Sequence, residues 1–258
     1  MSSTFCILYL YCTFVDEKRD LEVEIVSIDN IYIDCTSELS IKPSKSITLL
    51  KSVQNSRYVT AVCHYKGVTY LGTGNYTVET IDRHFNIRTL VSLGSGAWPH
   101  GISVHEKRIF VHVKLLGGSQ TSNVHVYDIS GRLITKWNKS DHRSSIRPAI
   151  VSNQIVVPDY MNNQLTVYSL TGQVSKRFTC PQLSGSIQNE AIACAVDNES
   201  VIVADCDASQ VFKVNISTAE TVWTCYEVAE PEAVAIYEKN FVCVGSRETI
   251  SFLNINTG

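Results

Sequence analysis

The side chains with the most evident chemistry are seven histidines and nine cysteines. The histidines are His64, His84, His100, His105, His112, His125 and His142. His105 and His112 flank a short strand, and His112 and His125 would fall on neighbouring strands. A metal site needs three or four donors converging on one point. No carboxylate or cysteine joins these histidines at ligand spacing, so scattered surface histidines are the plainer reading and no metal is expected.

The cysteines are Cys6, Cys12, Cys35, Cys63, Cys180, Cys194, Cys206, Cys225 and Cys243. Their number is odd and no Cys-x-x-Cys pair occurs, which excludes a zinc ribbon. Cys194, Cys206, Cys225 and Cys243 lie among apolar residues, where thiols act as small buried hydrophobes. Free thiols in a reducing compartment follow, and with them a cytoplasmic location. Four Asn-x-Ser/Thr sequons, at Asn75, Asn138, Asn198 and Asn215, do not settle the compartment. No Gly-x-Ser-x-Gly elbow and no phosphate-cradling glycine loop occur, so no catalytic residue and no cofactor are expected.

Whatever these residues do, strands must position them. The 258 residues are 44% hydrophobic and 18% charged, which is too apolar for a disordered chain. A net charge of -3 gives no global pull toward nucleic acid. No apolar run reaches the about 18 residues that would span a bilayer. The longest, Phe5 to Val15, has neither a basic start nor a cleavage site and reads as a strand.

Five segments repeat one pattern, an alternating apolar strand running into a polar turn: Asn123–Gly131, Asn163–Gly172, Gln210–Thr218, Thr249–Gly258 and a weaker Val78–Asn86. Their strands start at Val78, Val124, Leu165, Val211 and Ile250, in steps of 46, 41, 46 and 39 residues. Such a period, with four short strands per unit, is the mark of a propeller blade. Two apolar runs precede each copy, and a more polar strand follows, ending near Leu90, Trp137, Phe178 or Trp223. Almost no helix is expected, because no stretch sustains a 3.6-residue period.

The expected fold is all-β, one domain over 1–258. It is a six-bladed β-propeller of four-stranded antiparallel blades near 21–54, 57–95, 97–139, 142–180, 187–227 and 229–258. The first unit is read as strands at Val23–Ile28, Ile31–Asp34, Leu39–Ile41 and Ile47–Leu50. The last unit stops after three strands, and residues 1–15 are expected to supply its outer strand. The alternative is a leader outside the ring.

Residues Val156–Asp159, Asn162–Tyr168, Gly172 and Phe178 resemble an NHL repeat: an apolar strand ending in Asp, an Asn-containing turn, an alternating strand, Gly, then an aromatic. The copy at Val201–Trp223 keeps Asp205, Gln210 and Val211 but has Thr218 where Gly is the pattern. The copy at Gly101–Trp137 keeps Asp128, Gly131 and Trp137, while Val113 replaces the strand-end Asp. NHL propellers are similar to the C-terminal domains of tripartite-motif (TRIM) proteins, which recognise RNA or protein partners. The resemblance therefore implies a recognition module and not a catalyst.

In a propeller the loops leading into each blade and those between its second and third strands share one face. The first set holds Arg57, Trp98, His100, Arg143, Arg147, Glu190, Glu230 and Glu232, and the second holds Lys114, Gln120, Tyr160, Asn162, Asn163, Asp205 and Asp207. One half of the face is expected to be basic and the other acidic. A protein or peptide partner fits such a face best. Single-stranded RNA on the basic half, stacking near Trp98, His100 and Tyr160, is the alternative. Each choice has a plainer reading. Arg143 and Arg147 are solvated loop residues, Trp98–Gly101 is a packed turn, and Asp159 and Asp205 stabilise their own turns. Trp137, Phe178 and Trp223 are inter-blade packing residues.

The enzymatic rival is the group of six-bladed calcium-dependent lactonases or esterases, with Asn189, Glu190, Asp205 and Glu232 as oxygen ligands. Arg57, His100 and Arg147 at the matching positions raise the cost of a divalent ion there.

Overall fold

The computed structural model describes residues 7–8, 22–27, 48–54 and 59–255, apart from short stretches at 83, 85, 116–121, 139–148, 160–161, 184–191, 196–197, 239–240 and 247–248. Among the described residues there are 22 strands and no α-helix, as the periodicity required.

Five sheets follow one another along 59–254. The first holds β4 (Val59–Tyr65), β5 (Val68–Thr73), β6 (Thr77–Ile81) and β7 (Ile87–Ser92). The second holds β8 (Ala97–His105), β9 (Arg108–Leu115), β10 (Ser122–Asp128) and β11 (Leu133–Asn138). The third holds β12 (Ala149–Val151), β13 (Gln154–Asp159), β14 (Gln164–Ser169) and β15 (Val174–Thr179). The fourth holds β16 (Ile192–Ala195), β17 (Ser200–Asp205), β18 (Gln210–Asn215) and β19 (Thr221–Cys225). The fifth is the three-stranded β20 (Ala233–Glu238), β21 (Phe241–Gly245) and β22 (Ile250–Asn254). Each is an antiparallel meander in chain order. These sheets are the blades of a β-propeller, numbered one to five below.

Five blades, not six, correct the sequence expectation. Upstream lies a smaller sheet, ordered β1 (Ile7–Leu8), β2 (Glu22–Ser27) and β3 (Thr48–Gln54). It realises two of the four strands expected in 21–54, and the other two fall outside the described residues. Nor does the described part of the N-terminal strand close the last blade. Ile7 pairs with Ser27 and Leu8 with Val26. The physical reason is proximity along the chain: a hairpin with β2 closes a short loop, whereas reaching blade five closes one of more than 200 residues at higher entropic cost.

The core lies in the seams between blades, and strand periodicity builds it. Side chains of a strand alternate between its two faces. In β9, Ile109, Val111 and Val113 pack with Ala61, Tyr70 and Val78 of blade one. Phe110 on the other face joins Ile155, Val157 and Tyr168 of blade three. In β17, Val201 and Val203 face blade three and Ile202 and Ala204 face blade five. Burial on both sides explains why these second strands read as unbroken apolar runs.

The turns between third and fourth strands repeat one device. Asp82 and Asp128 accept backbone N–H bonds from residues two and four positions on, at 2.8 to 3.0 Å. The Ser169 hydroxyl does the same for Thr171 and Gln173, and Asn215 Oδ1 for Ser217 and Thr218. These short polar side chains hold the turn because they mimic a backbone acceptor.

Candidate functional site

The loop side of the described blades is built on the turns between second and third strands. In blade three, Asp159 is 2% exposed and faces Gln164 across the ladder. Its carboxylate accepts the Asn162 backbone N–H at 3.3 Å and the Asn162 side-chain amide at 2.8 Å. In blade four, Asp205 occupies the same place, facing Gln210, and accepts the Ala208 N–H at 3.2 Å. Both aspartates thus hold their own turns. Asn162 is exposed at the tip.

Next to them, the chain leaving blade three runs across to blade four. Cys180 is 2% exposed, and burial pushes its thiol up to about 11, with the Asp205 charge adding to the rise. The Gln210 side-chain amide donates to the Gln182 carbonyl, tying the turn to that crossing segment. On the far side of blade four, the Glu230 N–H donates to Ser209 Oγ at 3.2 Å, and the Glu232 N–H to the Gly245 carbonyl at 2.8 Å. Glu227 and Glu230 are exposed, while Asp207 and Glu232 are half-buried, so apart from the buried Asp159 the described acidic groups of this side lie on blades four and five.

Trp98, His100 and Lys114 are strand residues, a correction to their expected loop positions. Trp98 pairs directly with Lys114. His100 is the extra residue of a β-bulge between Pro99 and Gly101. Proline is tolerated in a strand at such a bulge, which is why the Trp-Pro-His-Gly sequence reads as a turn. Blade one has the matching bulge at Thr60, whose hydroxyl donates to the Pro99 carbonyl. The two inner strands meet closely beside Gly72, where a Cβ would stand 2.8 Å from that same oxygen. Trp98–Gly101 is therefore packed against blade one, in keeping with the plainer reading.

Arg57, Gln120, Arg143, Arg147, Tyr160, Asn189 and Glu190 lie outside the described residues. The structure thus brings together Asp159 with Asn162 and Trp98 with Lys114, and it places Glu232 beside the acidic turn of blade four.

Two histidine–hydroxyl pairs have the form of a base beside a nucleophile. His64 Nδ1 lies 3.2 Å from Thr69 Oγ1, and His125 Nδ1 lies 3.1 Å from the Tyr127 hydroxyl. Thr69 and Tyr127 are buried, at 4% and 5% exposed, so both hydroxyls belong to residues packed into the blades. Burial lowers both histidines below their ordinary range, and the Lys136 charge lowers His125 further. His112 and His125 are not opposed, since His112 pairs with Val124 and His125 with Val111. Among the described residues, no group of three His, Cys, Asp or Glu side chains is placed to hold a metal ion. Cys63, Cys180, Cys206, Cys225 and Cys243 are thiols not joined in disulfides.

Comparison with known proteins gives likeness of fold alone. No protein-family model matches the chain, and no curated protein does. A crystal structure of a protein of unknown function from Bacteroides caccae is similar, with a TM-score of 0.60 at 11% identity over 80% of this chain and 82% of that one. A chain in the crystal structure of the Mitotic Checkpoint Complex is similar at 0.54 and 12%, over 74% of this chain and 60% of that one.

Sequence reasoning passed over the Thr60–Pro99–Gly72 contact and the His125–Tyr127 pair. The signals were present as a glycine inside a strand and as aromatic and histidine residues two apart.

Proposed function

We propose that this chain is a non-catalytic recognition platform: a single NHL-like propeller domain, without a cofactor, that binds a protein or peptide partner on its loop side in the cytoplasm. The observation that carries the reading is how the buried carboxylates are used. Asp159 and Asp205 are committed to their own turns, while Asn162, Glu227 and Glu230 stand exposed on loops fixed by strands. Varied side chains on a rigid frame suit recognition. The charge arrangement favours a protein partner. Acidic groups gather on blades four and five, whereas the sequence puts Arg57, Arg143 and Arg147 near the earlier blades. A partner with both signs matches that pattern, and a uniformly anionic strand does not. The similar chain in the Mitotic Checkpoint Complex works within an assembly, which fits the same use of the fold.

A displayed peptide library panned on the whole chain tests this, with hits remeasured against Asn162→Ala, Lys114→Glu and Glu232→Lys. Hits should lose about tenfold in affinity with at least one variant, equivalent to about 1.4 kcal/mol. Hits indifferent to all three sink the loop-side reading. Equimolar calcium held by the purified protein would overturn the non-enzymatic reading in favour of the lactonase-type alternative.

Single-stranded RNA is a second reading, favoured by the cations Lys114, Arg143 and Arg147 that the sequence puts near the earlier blades. An RNA binder loses affinity uniformly, with a shallower salt dependence, when Arg143 or Arg147 becomes Ala. Mixed RNA pools that fail to bind at low salt end it.

A further inference from the structure

Away from the loop side, we propose that the outer edge of β19 is a docking site for an extended strand of a partner protein, uncharged and β-prone at its centre with a Lys or Arg at each end. Among the described residues, the fourth strand of each complete blade pairs along one edge with the third strand and along the other with no strand. Such an edge is a template for pairing, and proteins guard it with charge. Three of the four fourth strands are guarded in this way. β7 carries Arg88, β11 carries Lys136, and β15 carries Arg177. β19 reads Thr-Val-Trp-Thr-Cys and carries no charge, and Tyr226 continues the uncharged run. Val222 is 57% exposed and Tyr226 71%. A bulge at Val222 does not set β19 apart, because β11 and β15 have one at Ile134 and Ser175.

Charge selects the occupant. Exposed Glu220 and Glu227 bracket the uncharged run at its two ends. Six residues lie between them, so seven steps of extended chain span about 23 Å at ~3.3 Å per residue. A second copy of this chain would bring its own acidic pair to the same ends, acid against acid, in either strand direction. A strand with basic ends meets opposite charge at both, while its backbone completes the ladder and its uncharged side chains lie along Val222, Thr224 and Tyr226. This is strand addition, in which main-chain bonds give affinity and flanking groups give selectivity.

The test uses the whole chain and three heptapeptide probes: KTVTVTK, ETVTVTE, and KTVTVTK N-methylated at alternate amides. KTVTVTK is expected to shift the amide resonances of residues 221–226. The acidic probe should bind at least tenfold more weakly and the methylated probe not at all. Val222→Lys and Thr224→Lys should each remove the response, with Val174→Lys on β15 as the neutral control. Glu220→Gln with Glu227→Gln should weaken KTVTVTK and leave the fold intact if the lysine variants do not fold. No binding overturns the proposal, as does binding indifferent to the β19 variants, or self-association through β19 seen by light scattering. Asn162→Ala and Glu232→Lys leave this response unchanged, which separates it from the loop-side reading.

Discussion

Trp137 of blade two covers Gly172 of blade three so closely that a Cβ on the glycine would stand 2.3 Å from the indole Cγ and Cδ2. The indole also stacks on Tyr168, with ring centres 5.0 Å apart. Gly172 has φ +87, so conformation and contact both demand glycine. Leu90 stands over Gly131 one blade earlier, with its backbone carbonyl nearest and its side chain just beyond. Gly172→Ala should cost about 3 kcal/mol, combining left-handed strain with overpacking. Gly94→Ala, at φ +91 with nothing within 4 Å, should cost about 1 kcal/mol. Urea unfolding midpoints measure the difference, and Trp137→Ala should remove most of the excess at Gly172.

The seam between blades three and four uses a cation where the two earlier seams use glycine. Lys176 Nζ donates to the Ile216 carbonyl at 3.2 Å and to the Ser217 carbonyl at 2.8 Å, and it lies 5.2 Å from the Phe178 ring centre. Lys176→Met keeps the stem but leaves the part-buried Ile216 carbonyl without its donor, at a cost of about 1 kcal/mol. An equal loss for Lys176→Met and for Lys107→Met at an exposed turn would refute a specific role for this ammonium group in chemical unfolding.

Acid should loosen the turn of blade two. The Ser130 hydroxyl, then the Arg132 and Ser130 N–H groups and the Arg132 side chain, hold the Asp128 carboxyl at about 2 against an ordinary 3.8. A depressed carboxyl contributes stability above its ordinary value and loses it as pH falls toward the folded one. Asp128→Asn should therefore flatten the stability profile between pH 4 and about 2. His125, lowered by burial and Lys136, contributes while neutral and loses that contribution as pH falls below the ordinary 6.5. His125→Gln should flatten that higher window in thermal melts taken across it.

Thiol labelling should sort the cysteines. Burial holds Cys180 at about 11 and Cys243 at about 12, so neither forms thiolate near pH 8. Mass mapping after treatment with Ellman's reagent should find both unmodified in the folded chain and both modified in urea. Early labelling of either would contradict the described packing.

The seams were legible in the sequence because alternation along β9 and β17 is a local property and the burial it produces has the same period. Trp137, Phe178 and Trp223 were legible as packing residues for the same reason. The number of blades was not. Patterning shows that Phe5–Val15 and 21–54 favour strands, but not which edge each finds, and that choice is set by loop closure and register. Pro99 and Gly101 suggested a loop because both commonly end strands, yet a bulge accommodates them and turns Trp98 and His100 into ladder residues. The departure at Thr218 has a local cause. The turn after β18 is one residue longer, with Asn215 bonded to the Glu220 carbonyl, and the left-handed position moves to Ala219 at φ +67. Of the expected loop residues, Asn162 and Glu232 lie in connections as placed, whereas Lys114 belongs to a ladder.

Side chains cross the seams in both directions along the chain. Leu90, Trp137, Phe178 and Trp223 reach forward onto the following blade, while Pro99 reaches back over Gly72 and Ile109, Val111 and Val113 of β9 face blade one. No blade is therefore finished on either flank. Trimming blade one bares the apolar face of β9, and trimming blade five bares Ile202 and Ala204 of β17. Shortened forms cut from either end should share the same poor solubility.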